Sequence, residues 1–189
     1  IEDDKDIFNT HDDQLFNLKK CIEINNLIFS YKDSKKTKKI IFDNANLKII
    51  KGNLVAIVGA SGVGKSTLLN LISGLVKNYE GEILIDNQNI NKLKSLWTKR
   101  VAYISQNPFF LDDSIKNNIA FAENLEDINL DKVWNSLKSA QLYDFVSSSK
   151  DKLETLIGQD GTKMSGGQLQ RLAIARALYQ DFDLIILDE

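Results

Sequence analysis

Residues 53–75 read NLVAIV, GASGVG and KSTLLNLISGL in succession, an apolar segment followed by a glycine-rich turn and a run with leucines at helical spacing. Because residues 53–58 are apolar on both faces, they suit a central strand of a parallel sheet. The apolar spacing after the turn predicts a helix over 65–75. A strand, a tight turn and a helix in this order place backbone N–H groups and the positive end of the helix dipole around an anion.

The glycine-rich turn matches the pattern G-x-x-x-x-G-K-[ST], which is the P-loop. Glycines allow positive φ and let backbone N–H groups approach an anion closely, whereas side chains would block both. The lysine can reach the β- and γ-phosphates of a nucleotide, and the serine hydroxyl can ligate Mg²⁺. We therefore predict a site for a nucleoside triphosphate and Mg²⁺ formed by Gly59, Ser61, Gly62, Val63, Gly64, Lys65, Ser66 and Thr67.

Two acidic residues end the chain, directly after an apolar strand predicted over 183–187. Ligands of α/β folds bind at the carboxyl ends of the strands, so both side chains are predicted to face the phosphate loop. Asp188 is predicted to hold Mg²⁺ through water, and Glu189 is placed to polarise an attacking water molecule.

The composition is that of a globular α/β domain. Of 189 residues, 43% are hydrophobic and 26% are charged, which excludes a disordered or collagen-like chain. The net charge of -2 gives no basic field for nucleic acid, so no nucleic-acid partner is expected. No run approaches the roughly 20 apolar residues that a membrane-spanning helix needs. The single cysteine, Cys21, excludes an internal disulfide and is predicted to be buried on a strand.

Hydrophobic periodicity divides the rest of the chain. Residues 1–20 are polar and predict a linker, and a basic hairpin loop joins the first two predicted strands. Further strands are predicted over 21–31, 40–50, 81–86 and 100–105, and helices over 114–121, 130–146 and 168–179. One face of the 130–146 helix carries Trp134, Leu137, Leu142 and Phe145. We predict an α/β fold: a P-loop NTPase core with a mainly parallel sheet, an N-terminal antiparallel β subdomain and an inserted α-helical subdomain.

A second glycine-containing helix start, Met164-Ser165-Gly166-Gly167-Gln168, precedes the last predicted helix. Serine at this position is an N-cap, and the helix terminus is a further anion-binding site. Because the chain has one P-loop, a second such terminus is expected to serve the nucleotide of a neighbouring molecule. At these motifs the chain resembles the nucleotide-binding domain of ABC (ATP-binding-cassette) transporters, over residues 22–189.

That resemblance implies roles for particular residues. Tyr31 matches the aromatic residue that stacks on adenine, and Gln106 the glutamine that contacts Mg²⁺ or water. Glu189 matches the catalytic carboxylate, with Lys65 stabilising charge on the γ-phosphate. The family's signature, here Ser165, Gly166, Gly167 and Gln168, binds the γ-phosphate of a second nucleotide-binding domain in a head-to-tail dimer with two ATP molecules. The domain would span residues 21–189.

The chain also departs from the family pattern. Met164 replaces a leucine, and Leu156 and Gln159 replace glutamates that contact the membrane domain in many exporters. The family's switch histidine would follow Glu189, and His11, in the N-terminal linker, cannot be assigned that role. We therefore expect a piece of a longer protein, cut at both ends, that is weak or inactive alone as an ATPase.

The kind of ABC protein is decided by what lies between the motifs. Soluble DNA-repair and chromosome ATPases carry coiled coils or zinc modules there, and a ribosome-binding relative needs a second cassette. Residues 106–121, QNPFFLDDSIKNNIAF, resemble the exporter pattern instead. An exporter or flippase motor is expected, on the cytoplasmic face of a bacterial membrane, with a transmembrane domain on the same full-length chain. Lipid, lipid-linked sugar, peptide and drug remain open as substrates.

Overall fold

The computed structural model describes residues 16–32, 38–158 and 161–188. Its strands are β1 (Cys21–Lys32), β2 (Lys38–Ile50), β3 (Glu80–Ile85), β4 (Gln88–Asn89), β5 (Val101–Ile104) and β6 (Leu184–Leu187). Its helices are α1 (Lys65–Ile72), α2 (Ile90–Thr98), α3 (Ile115–Ile119), α4 (Leu130–Ser139), α5 (Tyr143–Ser148) and α6 (Gly166–Tyr179), with a 3-10 turn at Lys152–Glu154. Among these helices, none has the length and apolar character needed to cross a membrane.

The first sheet is antiparallel, in the strand order β2-β1-β3-β4. The alternation that predicted β1 and β2 places Ile22 and Ile24 in the core, 1% and 2% exposed. The pairing of β1 shifts register beside Asn26, whose φ is +51°. The predicted antiparallel N-terminal sheet is confirmed, and Cys21 is buried on β1 as a free thiol.

The second sheet is a parallel pair, β5 and β6, with Val101 opposite Leu184 and Ile104 opposite Leu187. The Asp188 N–H continues the ladder by donating to the Ile104 carbonyl at 3.0 Å. Three of the four strand pairings in the described part of the chain are antiparallel, so a mainly parallel sheet stays a prediction. The parallel pair directs the carboxyl ends of both strands, and therefore Asp188, to one edge.

The strand predicted over 53–58 is not formed. Leu54 is 98% exposed and Val58 is 91% exposed, although the segment has the composition of a buried strand. A strand needs a hydrogen-bonded neighbour, and none of the strands in the described ranges pairs with this segment. It borders β6 across a cavity of about 370 Å³ instead.

The helices differ from the prediction at two places. The predicted helix over 130–146 is two helices, α4 and α5, because Gln141 between them takes a φ of +57° and breaks the helical path. Helix α2 has no counterpart in the prediction; Asn89 caps it by accepting the Asn91 N–H at 2.9 Å. Trp97 of α2 is fully buried, and its indole N–H donates to the Ile72 carbonyl at 2.8 Å.

Two clusters of buried side chains form the core. One lies between the antiparallel sheet, α1 and α2, and the other joins α3–α6 with one face of β5. The predicted stripe packs in the second cluster, where Leu137 and Leu142 are buried and Trp134 and Phe145 are partly buried. Because β5 alternates its faces, Ala102 belongs to the helical cluster while Tyr103 packs on the other one.

Residues 16–20, the described end of the predicted linker, pack on the domain. Leu18 is 4% exposed, and its N–H donates to Asp183 Oδ2 at 3.1 Å. Asp86 accepts the backbone N–H groups of Lys19, Lys20 and Cys21. Two carboxylates therefore fasten this segment to the sheet. Residues 1–15 lie outside the described ranges.

Candidate functional site

The glycine-rich turn enters α1 through left-handed backbone. Gly62 and Gly64 have φ of +75° and +111°, which a residue with a side chain rarely adopts. A Cβ on Gly64 would lie 2.4 Å from Ile41 Cγ2, so glycine is required there for space as well. The Lys65 ammonium folds back over the turn and donates to the carbonyl oxygens of Gly59 and Ala60 at 2.9 and 3.0 Å. These two hydrogen bonds connect the end of the turn to its start and hold the Lys65 ammonium against the loop.

A cavity of about 360 Å³ opens in front of this loop. It is lined by Tyr31, Lys39, Ile41, Ser61, Gly62, Gly64, Lys65, Ser66 and Thr67. Tyr31 is 48% exposed, its ring stands edge-on to Phe29, and its hydroxyl lies 3.2 Å from Thr67 Oγ1. The structure thus brings Tyr31 to the phosphate loop. Lys39 is a cation that the sequence reasoning missed, because it read the 32–39 run as a solvated hairpin.

Asp188 meets the loop from the end of β6. Ser66 Oγ donates to Asp188 Oδ1 at 3.0 Å, and the Tyr103 hydroxyl donates to Asp188 Oδ2 at 2.5 Å. Burial, together with the hydrogen bond and the negative charge of Asp188, raises the pKa of Tyr103 to about 12. The phenol therefore keeps its proton at neutral pH and donates a hydrogen bond to the carboxylate.

The pair Ser66 and Asp188 fits a magnesium ion. Mg²⁺ takes hard oxygen ligands, and in nucleotide sites it uses one or two protein groups together with phosphates and water. A hydroxyl and a carboxylate that converge within 3.0 Å of each other beside a phosphate loop supply such a donor set. The described residues contain no cluster of three or more His, Cys, Asp or Glu side chains suited to a metal.

The signature segment forms the start of α6. Ser165 is the N-cap: its Oγ accepts the Gln168 N–H at 3.3 Å, and Gln168 Oε1 accepts the Ser165 N–H at 2.8 Å. This capping box confirms the predicted N-cap. Added Cβ atoms on Gly166 and Gly167 would meet nothing within 4 Å, so the surface above them is open. A phosphate from another molecule could approach these N–H groups directly.

Gln106 lies at a different cavity from the phosphate loop. It lines a space of about 340 Å³ with Asn107, Pro108, Phe109, Phe110, Gly166 and Leu169. The structure therefore brings Gln106 next to the signature helix, with Phe109 67% exposed beside it. No described contact joins Gln106 to Ser66 or Asp188, and its assignment to the metal remains a prediction.

Arg176 of α6 is a residue that the sequence reasoning missed. Its guanidinium donates to the Phe109 carbonyl at 3.0 Å and to the Asn118 carbonyl at 2.7 Å, and it lies 4.6 Å from the centre of the Phe110 ring. Burial lowers its pKa to about 10. Arg176 therefore ties the signature helix to the turn after Gln106. Its place in the run QRLAIARAL offered no signal, because an arginine on a helix is usually a solvated one.

Three residues of the prediction, Glu189, His11 and Gln159, lie outside the described residues. Leu156, which the prediction set beside Gln159, is 51% exposed. The structure thus assembles one part of the predicted site from Tyr31, the phosphate loop and Asp188, and a second part from Gln106 and the signature.

A P-loop whose serine contacts a carboxylate at the end of a strand, here Ser66 and Asp188 after β6, is typical of a nucleotide-binding domain. The chain belongs to the ABC transporter family, whose model, described as ABC transporter, matches residues 42–189. It is 41% identical over 153 residues to the ATP-dependent lipid A-core flippase of Pectobacterium atrosepticum, covering 80% of this chain and 26% of that protein. It is 40% identical over 169 residues to ABC transporter B family member 16 of Arabidopsis thaliana, covering 89% of this chain and 13% of that protein.

Among solved structures, the chain resembles a bacterial Atm1-family ABC exporter with ATP bound. The TM-score is 0.78 and the identity 31%, over 93% of this chain and 30% of that one. The chain spans between 12 and 28% of the length of the curated relatives that it matches. The names of these three proteins describe an ATP-dependent flippase, an ABC transporter and an ABC exporter.

Proposed function

We propose that this chain is the ATP-binding and ATP-hydrolysing motor domain of an exporter or flippase. The observation that carries the proposal is the 3.0 Å hydrogen bond between Ser66 of the phosphate loop and Asp188 at the end of β6. It joins the two protein groups that a nucleotide-bound Mg²⁺ requires. The relatives named above favour transport over a soluble DNA-repair or translation ATPase.

ATP binds in the cavity before the phosphate loop. Tyr31 stacks on the adenine, and the backbone N–H groups of residues 59–67 surround the phosphates. Lys65 exchanges its two carbonyl partners for phosphate oxygens, a charge-assisted bond that is stronger than the bonds it replaces. Ser66, Gln106 and, through water, Asp188 would hold Mg²⁺, which when bound would neutralise charge on the β- and γ-phosphates.

Hydrolysis requires a second copy of the domain. Two domains close head to tail, and the Ser165–Gln168 helix start of each binds the γ-phosphate held by the other. Glu189 orients a water molecule for in-line attack on the γ-phosphate, while Lys65 stabilises the negative charge on the transferred phosphoryl group. The open surface above Gly166 and Gly167 supports this arrangement, since a phosphate needs close access to the backbone there.

We place this motor on the cytoplasmic face of a bacterial membrane, with its transmembrane domain on the same, longer chain. The motor spans residues 21–189, with a parallel core, the antiparallel sheet and an inserted helical subdomain. A switch histidine after Glu189 completes catalysis, so the 189-residue chain alone hydrolyses ATP weakly.

The test is Glu189→Gln in the full-length protein, measured by ATP hydrolysis and by nucleotide binding. Loss of the general base slows turnover by ~10²–10⁴, and ATP binding is retained because Lys65, Ser66 and Asp188 are unchanged. Near-wild-type turnover would remove Glu189 from the mechanism. Absence of nucleotide binding in the wild-type protein would overturn the function itself.

A further inference from the structure

Tyr103 completes the set of groups around the acidic end of β6. Its hydroxyl donates to Asp188 Oδ2 at 2.5 Å, while Ser66 Oγ donates to Oδ1 at 3.0 Å. The two oxygens of this carboxylate are thus held by different elements, one by β5 and the other by α1. These two hydrogen bonds restrict the rotation of the Asp188 carboxylate.

The backbone fixes which way the phenol points. Tyr103 pairs with Ile186 in the parallel ladder, two residues before Asp188. Its neighbours Ala102 and Ile104 are buried in the helical cluster, so alternation directs Tyr103 to the opposite face, where it packs on the cluster beside α1. The ring is therefore anchored on the face from which Ser66 approaches.

The two hydrogen bonds of Asp188 differ in whether they can persist when a metal ion binds. Mg²⁺ binding would compete with the Ser66–Asp188 bond, because Ser66 Oγ is a proposed ligand of the ion and Asp188 Oδ1 is the oxygen proposed to hold it through water. The Tyr103 bond uses the other carboxylate oxygen and can persist when the ion is bound. Outer partners of this kind orient a ligand and commonly change metal affinity about 10–100-fold when removed.

We propose that Tyr103 is a positioning residue for magnesium, which holds Asp188 Oδ2 so that Oδ1 faces Ser66. The inference rests on the proposed ATP–Mg²⁺ function of the same site. It assigns to β5 a part in nucleotide binding that neither the motifs nor the relatives' names contain.

The experiment uses Tyr103→Phe, which keeps the partly buried ring and removes only the hydroxyl. The affinity of the purified protein for a fluorescent ATP analogue is measured in EDTA and over a MgCl₂ series. The Mg²⁺ concentration for half-maximal enhancement should rise about tenfold in the variant. The affinity in EDTA should stay at the wild-type value, since the phenol makes no proposed contact with nucleotide.

Tyr143→Phe, on α5 beside Trp134, is the matched control for loss of a phenol hydroxyl. An unchanged or lower Mg²⁺ requirement in Tyr103→Phe overturns the inference. An equal loss of affinity with and without Mg²⁺ also overturns it, because that result indicates a structural effect. If the wild-type protein binds the analogue in neither condition, the proposed function fails and the inference with it.

Discussion

Ser66 and Asp188 are 122 positions apart in the chain, and Ser66 Oγ donates to Asp188 Oδ1 at 3.0 Å. This hydrogen bond closes the edge of the sheet over the start of α1. Both residues were predicted from sequence: Ser66 from the P-loop pattern, and Asp188 from its position after an apolar strand. The sequence predicted that Asp188 faces the phosphate loop, and the structure identifies Ser66 as the residue of the loop that it contacts.

Ser66→Ala should remove the Mg²⁺-dependent part of nucleotide affinity. The hydroxyl is a proposed ligand of the ion, so its loss should weaken Mg²⁺ binding by at least the about 10–100-fold that loss of an outer partner commonly causes. Binding of a fluorescent ATP analogue with and without MgCl₂ measures the effect. Ser148→Ala, on the exposed end of α5, is the control. An unchanged response to Mg²⁺ would exclude Ser66 as a ligand.

Lys65→Ala should weaken nucleotide binding whether or not Mg²⁺ is present. The ammonium now contacts only the Gly59 and Ala60 carbonyls among described groups, so it is available to phosphate oxygens. Loss of such a charge-assisted contact corresponds to about 10–100-fold in affinity. Lys138→Ala, in the last turn of α4, controls for loss of one positive charge. Equal affinities of Lys65→Ala and the control would contradict the P-loop role.

The site was more predictable than the sheet around it. The P-loop residues, the N-cap Ser165 and the acid after the last strand follow from local patterns, because the chemistry needs particular residue types at fixed spacing. The strand over 53–58 was predicted from apolar composition, but strand formation depends on a partner that no local pattern supplies. Tyr103 was missed for a related reason: its proposed role depends on Asp188, which is distant in sequence, and an isolated tyrosine on a strand carries no signal.

Gly64→Ala should destabilise the domain far more than Gly62→Ala. Both positions have positive φ, which costs a residue with a side chain about 1–2 kcal/mol. At Gly64 the new Cβ would also lie 2.4 Å from Ile41 Cγ2 and 3.2 Å from the Phe42 ring, and overpacking of this kind adds about 1–3 kcal/mol. At Gly62 it meets nothing within 4 Å. Urea unfolding of the two variants compares them directly, and equal losses would show that backbone strain alone matters.

Asp86 should make the stability of the domain sensitive to acid. Burial works to raise the pKa of this carboxyl, but backbone N–H groups of Lys19, Cys21 and Lys20 and the Lys20 charge lower it below the ordinary value of 3.8. A carboxyl with a lower pKa in the folded state adds stability above its unfolded pKa, and this is lost as the pH falls through the folded value. Asp86→Asn should therefore be less stable at pH 7, and the difference should shrink below about pH 4.

The measurement is the midpoint of urea unfolding of the wild-type protein and of Asp86→Asn at several pH values between pH 7 and pH 3. Glu82→Gln, an exposed acid on the neighbouring strand β3, controls for the loss of one negative charge. Because the three donors belong to residues 19–21, the destabilised variant should also release the segment that Leu18 anchors, and amide exchange of these residues should quicken. A difference in midpoint that stays constant from pH 7 to pH 3 would mean that Asp86 acts through its shape and not through its charge.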